Sequence, residues 1–469
     1  MSSDSESAAA VARRPTIAAW DESSAKRSPA LSRAVLAGAA ICACLLLAAP
    51  ALWNRYPLLQ FDTGGYLARW YEGYLVPSRS TVFGLYLHVG EGLHFWPQVL
   101  IQSALTVWII YLVLRTFGVF RPLRLVGAVA VLAALTTLPW LTSILLTDIF
   151  VGSSVLALHL LLFHPAQIAR WEKAALVVFI AFAAATHSAT LATLLAVIAA
   201  AAIAAKWIAS GLATPRRLAG GIAAVAAGAL MLLTTNYALS GHFAWTPGGY
   251  GIVFGRMLQD GIVARFLKDH CPSPLYKLCP YRNELPRTAD EFLWSSGVFN
   301  DLGRFAGLGD EMRDIALRSL AEYPVQQISS ALTATGKQLV LVATGAGVHN
   351  QLPHTYGIME RFVPGEVPAM RAARQQRGEL QFDGLNRLQV PIGLASTFLL
   401  PVLMLGLRRD RRDQIALLAG SVAVAVLANA FVCGALSGPH DRYGARMAWV
   451  ATFVVVLACI RRLARERHT

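Results

Sequence analysis

The sequence predicts an all-α polytopic membrane protein of about ten transmembrane helices, with a large extracytoplasmic loop containing amphipathic helices. Hydrophobic residues make up 55% of the 469-residue chain and charged residues only 14%, against the roughly 25% charged that a soluble protein carries. A soluble fold of this size would be starved of solvating charge. Apolar runs recur at lengths near the ~20 residues that a helix rising ~1.5 Å per residue needs to cross ~30 Å of hydrocarbon. The third observation is that the basic residues fall in alternate connections between those runs.

In chain order, residues 1–33 are rich in Ser and Ala with interspersed charge, which suits a disordered cytoplasmic tail. The spans are read at 34–53, 97–114, 124–142, 145–163, 174–188, 190–207, 218–239, 388–407, 414–434 and 446–461. Ala49-Pro50-Ala51 loosely resembles a cleavage site, but a charged region of 33 residues before the apolar core favours an uncleaved anchor. The fifth and sixth spans merge into one apolar stretch around His187, and the division there sets the side of every later loop. Four regions follow: the tail, an N-terminal transmembrane module at 34–239 with a first outer loop at 54–96, an extracytoplasmic loop or subdomain at 240–387, and C-terminal helices with a basic tail at 388–469.

Lys and Arg set the orientation, because basic residues in short loops are retained in the cytoplasm. Arg33, the group Arg115, Arg121 and Arg124, the pair Arg170 and Lys173, Lys206 with Arg216 and Arg217, Arg408 through Arg412, and Arg461 with Arg462 all land on one side. Both termini are therefore read as cytoplasmic. The net charge of +14 is mostly topology, not a nucleic-acid footprint.

In the large outer loop, residues 309–322 place Met312, Ile315, Ala316 and Leu320 near helical spacing, the pattern of a helix lying against a membrane surface. Residues 323–345 are more apolar and suit either that role or a re-entrant or additional span. Cys42, Cys44, Cys433 and Cys459 fall in or beside spans, whereas Cys271 and Cys279 lie in the outer loop, where an oxidising periplasm predicts a disulfide. No metal site is read from the sequence, since only His270 lies close to that pair.

The chemistry candidates collect on the other side from the basic clusters. Asp62, in Phe61-Asp62-Thr63-Gly64-Gly65-Tyr66, fits either a general base just outside the hydrocarbon or a helix N-cap. Arg79 fits a phosphate ligand or a solvated loop arginine. Asp148 sits at the mouth of the fourth span, and an acid at the edge of an apolar helix is costly unless it has work to do. His187 occupies the outer turn between the fifth and sixth spans, and His440, Asp441, Arg442, Tyr443 and Arg446 fill the last outer loop.

Together these residues resemble the GT-C superfamily of membrane glycosyltransferases, which includes protein O-mannosyltransferases and lipid A aminoarabinose transferases. In that superfamily an acid followed by Tyr stands in the first outer loop, a second acid follows at a later span mouth, and an Arg-Tyr pair precedes the last spans. Asp62 with Tyr66, Ser78-Arg79 through Tyr86, Asp148, and Arg442-Tyr443 carry the resemblance. Ile315 through Tyr323-Pro324 is similar to an outer-loop helix that ends in an aromatic or His before Pro. The chain departs from the pattern in lacking Pro-Pro after Arg79 and in having His187 where many relatives have Arg.

The resemblance implies inverting transfer of a sugar from a polyprenyl-phosphate donor to a glycan, lipid or protein acceptor, at the extracytoplasmic face of a bacterial inner membrane. It implies Asp62 as the base, Asp148 as its catalytic partner, Arg442 with Arg79 or His440 on the departing phosphate, and Tyr66, His187 and Tyr443 in substrate binding. It admits a divalent cation without demanding one, and no Gly-rich phosphate loop points to a nucleotide. The rival readings are a transporter or lipid flippase, and an O-antigen ligase or polymerase in which arginines such as Arg79, Arg256 or Arg442 dominate.

Overall fold

A computed structural model of the protein describes residues 29–75, 77–207, 212–246 and 248–466. Residues 1–28 of the expected tail lie outside the described residues. Among the described residues every regular element is helical, and the sole β feature is an isolated parallel bridge between Leu58 and Ile144.

The chain enters through α1 (Pro29–Asn54) and forms three short helices, α2 (Phe61–Leu67), α3 (Arg69–Glu72) and α4 (Thr81–His88), before α5 (Trp96–Thr116). The third apolar stretch is divided, with α6 (Pro122–Leu135) ending at Thr136 and α7 (Leu138–Ser143) following. Pro139 has no N–H to continue a helix, and the Thr136 hydroxyl, which donates to Leu132 O at 2.6 Å, accepts the Leu138 N–H at 3.2 Å. Next come α8 (Asp148–Phe163), α9 (Arg170–Thr186), α10 (Ser188–Trp207) and α11 (Pro215–Ser240). The apolar run around His187 is two helices, because His187 is extended (φ −156°, ψ 126°).

Among the described residues seven helices are long and apolar enough to cross a membrane: α1 from Arg33, α5, α10, α11, and after the large loop α20 (Asp383–Met404), α21 (Gln414–Leu436) and α22 (Asp441–Glu466). Two shorter apolar helices, α6 and α8, and the 17-residue α9 pack among them. Small residues permit the close approaches. A Cβ at Gly228 of α11 would lie 2.3 Å from Ala181 O of α9, and one at Gly152 of α8 would lie 2.5 Å from the Val450 side chain of α22.

The bundle has two unlike ends. At one, Arg115 closing α5 bonds Glu172 opening α9 at 2.8 and 2.5 Å, and His164 closing α8 stands within electrostatic reach of Arg217 and Arg461. At the other, α1 ends, α8 and α22 begin, and α9 turns into α10.

Between α11 and α20 the chain does two different things. Five helices, α12 (Gly249–Gln259), α13 (Ile262–His270), α14 (Ala289–Trp294), α15 (Val298–Asp301) and α16 (Arg304–Glu322), enclose a separate core of Phe254, Phe266, Phe292, Phe299, Met312 and Ile315. Of the apolar residues expected on a surface helix at 309–322, Met312, Ile315 and Ala316 face that core, while Leu320 stays half exposed. Cys271 and Cys279 are disulfide-bonded, with their Cα atoms 5.6 Å apart, at the edge of this subdomain. The remainder, α17 (Pro324–Val340), α18 (Pro353–Phe362) and α19 (Val367–Ala372), returns to the bundle. Antiparallel to α21, α17 sets Ala334 against Gly434 and brings Val342, just past its end, beside Val426, Gly393 and Gly444. Its C-terminal end thus lies among α20, α21 and α22.

Candidate functional site

Asp62 and Asp148 lie 86 positions apart, and a few backbone bonds bring their segments together. Leu58 N donates to Ser143 O at 2.9 Å and Leu145 N donates to Leu58 O at 3.0 Å. The Thr63 hydroxyl adds a bond to Leu145 O at 3.1 Å. The extended stretch before α2 is thereby fastened beside the stretch before α8, and both acids emerge at the same end of the bundle.

Local chemistry leaves the Asp62 carboxylate unspent. Gln60 caps α2, its side chain accepting the Asp62 N–H at 2.7 Å, while Thr63 completes a capping box by accepting the Gln60 N–H at 3.0 Å. The N-cap reading of Asp62 is thus corrected. Each following glycine has a steric reason: a Cβ at Gly64 would lie 2.6 Å from Thr355 Cα of α18, and one at Gly65 would lie 3.1 Å from Arg79 Nε. Beneath them the buried Arg69 donates to Gly65 O at 2.7 Å and to Tyr74 O at 3.0 Å, which closes α2 onto its own loop.

Arg79 reaches the same place from the loop before α4. Ser78 is left-handed (φ 59°) and donates its N–H to the Thr246 hydroxyl at 2.8 Å. Ser80 caps α4 and donates to Ala185 O at 2.8 Å, so both neighbours of Arg79 are fixed. The last contributors are on α22. Arg442 and Arg446 stand one turn apart and therefore share a face.

These side chains form one ladder of ion pairs. Arg79 bonds Asp62 Oδ1, and Asp62 Oδ2 accepts from Arg442 Nη1 at 2.6 Å. Arg442 Nε donates to Asp148 Oδ2 at 2.7 Å, and Asp148 Oδ1 accepts from Arg446 Nη1 at 3.0 Å. Arg446 then donates to Asn429 Oδ1 at 3.0 and 2.7 Å and to Cys433 Sγ at 3.0 Å. The side chains run from 20% exposed at Asp62 to 0% at Arg446, so the ladder has an open mouth and a sealed floor.

Charge follows geometry. Burial raises the Asp62 pKa, but the guanidiniums of Arg79 and Arg442 outweigh it and hold the carboxyl at about 2, below its ordinary 3.8. Burial pushes the Tyr66 phenol up. Three guanidiniums against two carboxylates leave one positive charge to be balanced.

The other residues singled out in the sequence take different places. Tyr66 packs under Arg79 (Cζ 5.6 Å from its ring centroid), and Tyr443 lies against Arg442 and Arg446 at 5.4 and 5.1 Å. His187 makes no hydrogen bond to the ladder; its Nδ1 accepts the Ala189 N–H at 3.2 Å. His440 is also off the ladder, with its Nε2 3.7 Å from Asp290 of the subdomain. Arg446, assigned above to the outer loop, is a buried helical residue. It, Asn429 and Cys433 were not recognised as floor residues, although an Asn inside the apolar run of α21 was the available signal. Arg256 pairs with Asp260 at 2.5 Å instead.

A divalent cation does not fit this arrangement. The Arg442 guanidinium bridges the two acids, and among the described residues no group of three His, Cys, Asp or Glu side chains is placed to hold a metal. Comparison of the chain with protein-family models, curated proteins and solved structures finds no match, so the geometry of the ladder alone carries the functional reading.

Proposed function

We propose that the protein is a membrane glycosyltransferase that moves a sugar from a polyprenyl-phosphate carrier to a glycan, lipid or protein acceptor, with the Arg79–Asp62–Arg442–Asp148–Arg446 ladder as its site. The observation that supports this reading is the uncompensated positive charge of a ladder whose mouth opens at the membrane end opposite the basic connections. An anionic phosphate supplies the missing charge, and bidentate guanidiniums are its preferred ligands. The bundle then crosses the membrane ten times, with the shorter α6–α7, α8 and α9 completing the seven long helices, and its mouth faces the extracytoplasmic side.

In the reaction the bond between the anomeric carbon and the carrier-phosphate oxygen breaks as the acceptor oxygen attacks from the opposite face. Arg442 and Arg79 take the charge that builds on the leaving phosphate. The acceptor's proton passes to Asp62. With both arginines on its carboxylate, Asp62 is far too weak a base. When the phosphate draws those arginines away, burial is the largest influence that remains, and the Asp62 pKa climbs. Base strength thus appears only with donor bound. Asp148, locked between Arg442 and Arg446, positions Arg442.

Asp62→Asn in proteoliposomes, at matched protein abundance, should lower transfer from a polyprenyl-phosphate sugar about 100-fold or more, the range of a lost general base. Undiminished transfer would remove Asp62 from the mechanism.

A further inference from the structure

We propose that the face of α14 carrying Asp290 and Trp294 is a sugar-binding surface at the mouth of the ladder. The proposal rests on the transferase reading for the identity of the substrate that bears the ring. Asp290 and Trp294 are four residues apart, so they project from one side of this short helix. Its other side, Ala289, Phe292 and Leu293, is buried in the subdomain core.

The outward face meets the site at two points. The Trp294 ring centroid lies 5.9 Å from Arg79 Cζ, and Asp290 Oδ2 lies 3.7 Å from His440 Nε2. Arg79 precedes α4 and His440 precedes α22, so α14 bridges the rim from the first outer loop to the last. Trp294 nevertheless remains 47% exposed, a large aromatic surface left open beside buried charges.

The shelf is held firmly. Phe305 lies 6.4 Å from Trp294 and 5.0 Å from Phe299, which continues the aromatic packing into the core. At Gly248 a Cβ would meet Phe305 at 2.8 Å and Pro77 at 3.2 Å, so the turn that leads into the subdomain sits directly on the Arg79 loop.

The chemistry selects the ligand. A pyranose presents an apolar C–H face, which packs on the electron-rich face of an indole, and hydroxyls at its edge, which bond a carboxylate and an imidazole. An acyl chain would desolvate Asp290 and His440 without giving them partners. A bare phosphate would be repelled by Asp290 and gain nothing from the indole.

The full-length protein, labelled with 5-fluorotryptophan in nanodiscs, tests this by fluorine NMR. The Trp294 resonance is identified by its loss in Trp294→Phe, and methyl hexopyranosides and methyl pentopyranosides are the probes. That resonance should move saturably with at least one glycoside and stay still with glycerol or inorganic phosphate. In transfer assays Trp294→Ala should raise KM for the ring-bearing substrate about tenfold with little change in kcat, and Trp294→Phe should restore most of it. A still resonance with every glycoside, or an unchanged KM in Trp294→Ala, overturns the proposal. A glycoside shift in a protein without transfer activity would support the surface while removing the transferase reading. Normal transfer kinetics in Trp294→Ala would do the reverse.

Discussion

Arg442 and Arg446 project from the same face of α22, and Asp148 is the counter-ion between them. Two buried cations one turn apart repel, so removing the carboxylate leaves both uncompensated. Asp148→Asn should therefore cost about 3 kcal/mol or more, as loss of one partner does in buried pairs, read as a lower melting temperature of the detergent-solubilised protein. Arg446→Lys should also destabilise, because an ammonium replaces a planar fork shared among Asp148, Asn429 and Cys433. Asp62 supplies a pH prediction. Its folded pKa of about 2 lies below its ordinary 3.8, so its pairing stabilises the fold above about pH 4 and is lost as pH falls through 2. The infrared carboxylic-acid band absent from Asp62→Asn should appear only as pH falls towards about 2 in the free protein, and at higher pH once polyprenyl phosphate is bound. Asp62, Asp148 and Arg442 were legible because charge at the edge of apolar sequence is expensive. The capping role of Gln60 was not, since an Asp two positions on is the better capper by residue type.

The elements that hold this ladder explain why Gly64 and Gly65 follow Asp62. The Thr355 hydroxyl of α18 accepts the Gly64 N–H at 3.2 Å and donates to Phe61 O at 3.1 Å, so the two helices touch backbone to backbone. Gly64→Ala should force α18 away, costing about 1–3 kcal/mol by overpacking and weakening transfer. Gly357→Ala on the same α18, where an added Cβ meets nothing within 4 Å, should be neutral or stabilising by up to about 1 kcal/mol. Equal effects of the two substitutions on the melting temperature would sink this account. Long helices such as α11 and α21 announce themselves by hydropathy, whereas the contact between α2 and α18 joins residues 291 positions apart and leaves no periodic trace. The subdomain core was hidden for a related reason: Phe254, Phe266, Phe292 and Met312 are spread over four helices, none with a long apolar run. The break at Thr136 to Pro139 did have a local signal, a proline inside an apolar stretch.

At the scale of the whole molecule, segregation of charge unites topology and chemistry. Arg115, Arg217 and Arg461 gather where α5 and α22 end and α11 begins, while the ladder lies at the far end of the same helices. One rule, that Lys and Arg resist translocation, predicts the cytoplasmic side for the first group. The second group contains three arginines, yet each is paired or buried within protein, which is how a cation persists away from that side. The two ends therefore report orientation independently of any span count. Introduced cysteines test it in right-side-out membrane vesicles, with the exposed Cys42 and Cys459 replaced by Ser and the buried Cys433 kept as a ligand of Arg446. Asn300→Cys, in the subdomain, should react with an impermeant maleimide without permeabilisation, and Asp410→Cys, between α20 and α21, only after it. The opposite pattern would set the ladder on the cytoplasmic face, out of reach of an extracytoplasmic acceptor. Labelling at both positions in sealed vesicles would mean an even number of crossings between them, none or two where α20 alone supplies one, and would identify α17 as the helix whose depth must be remeasured.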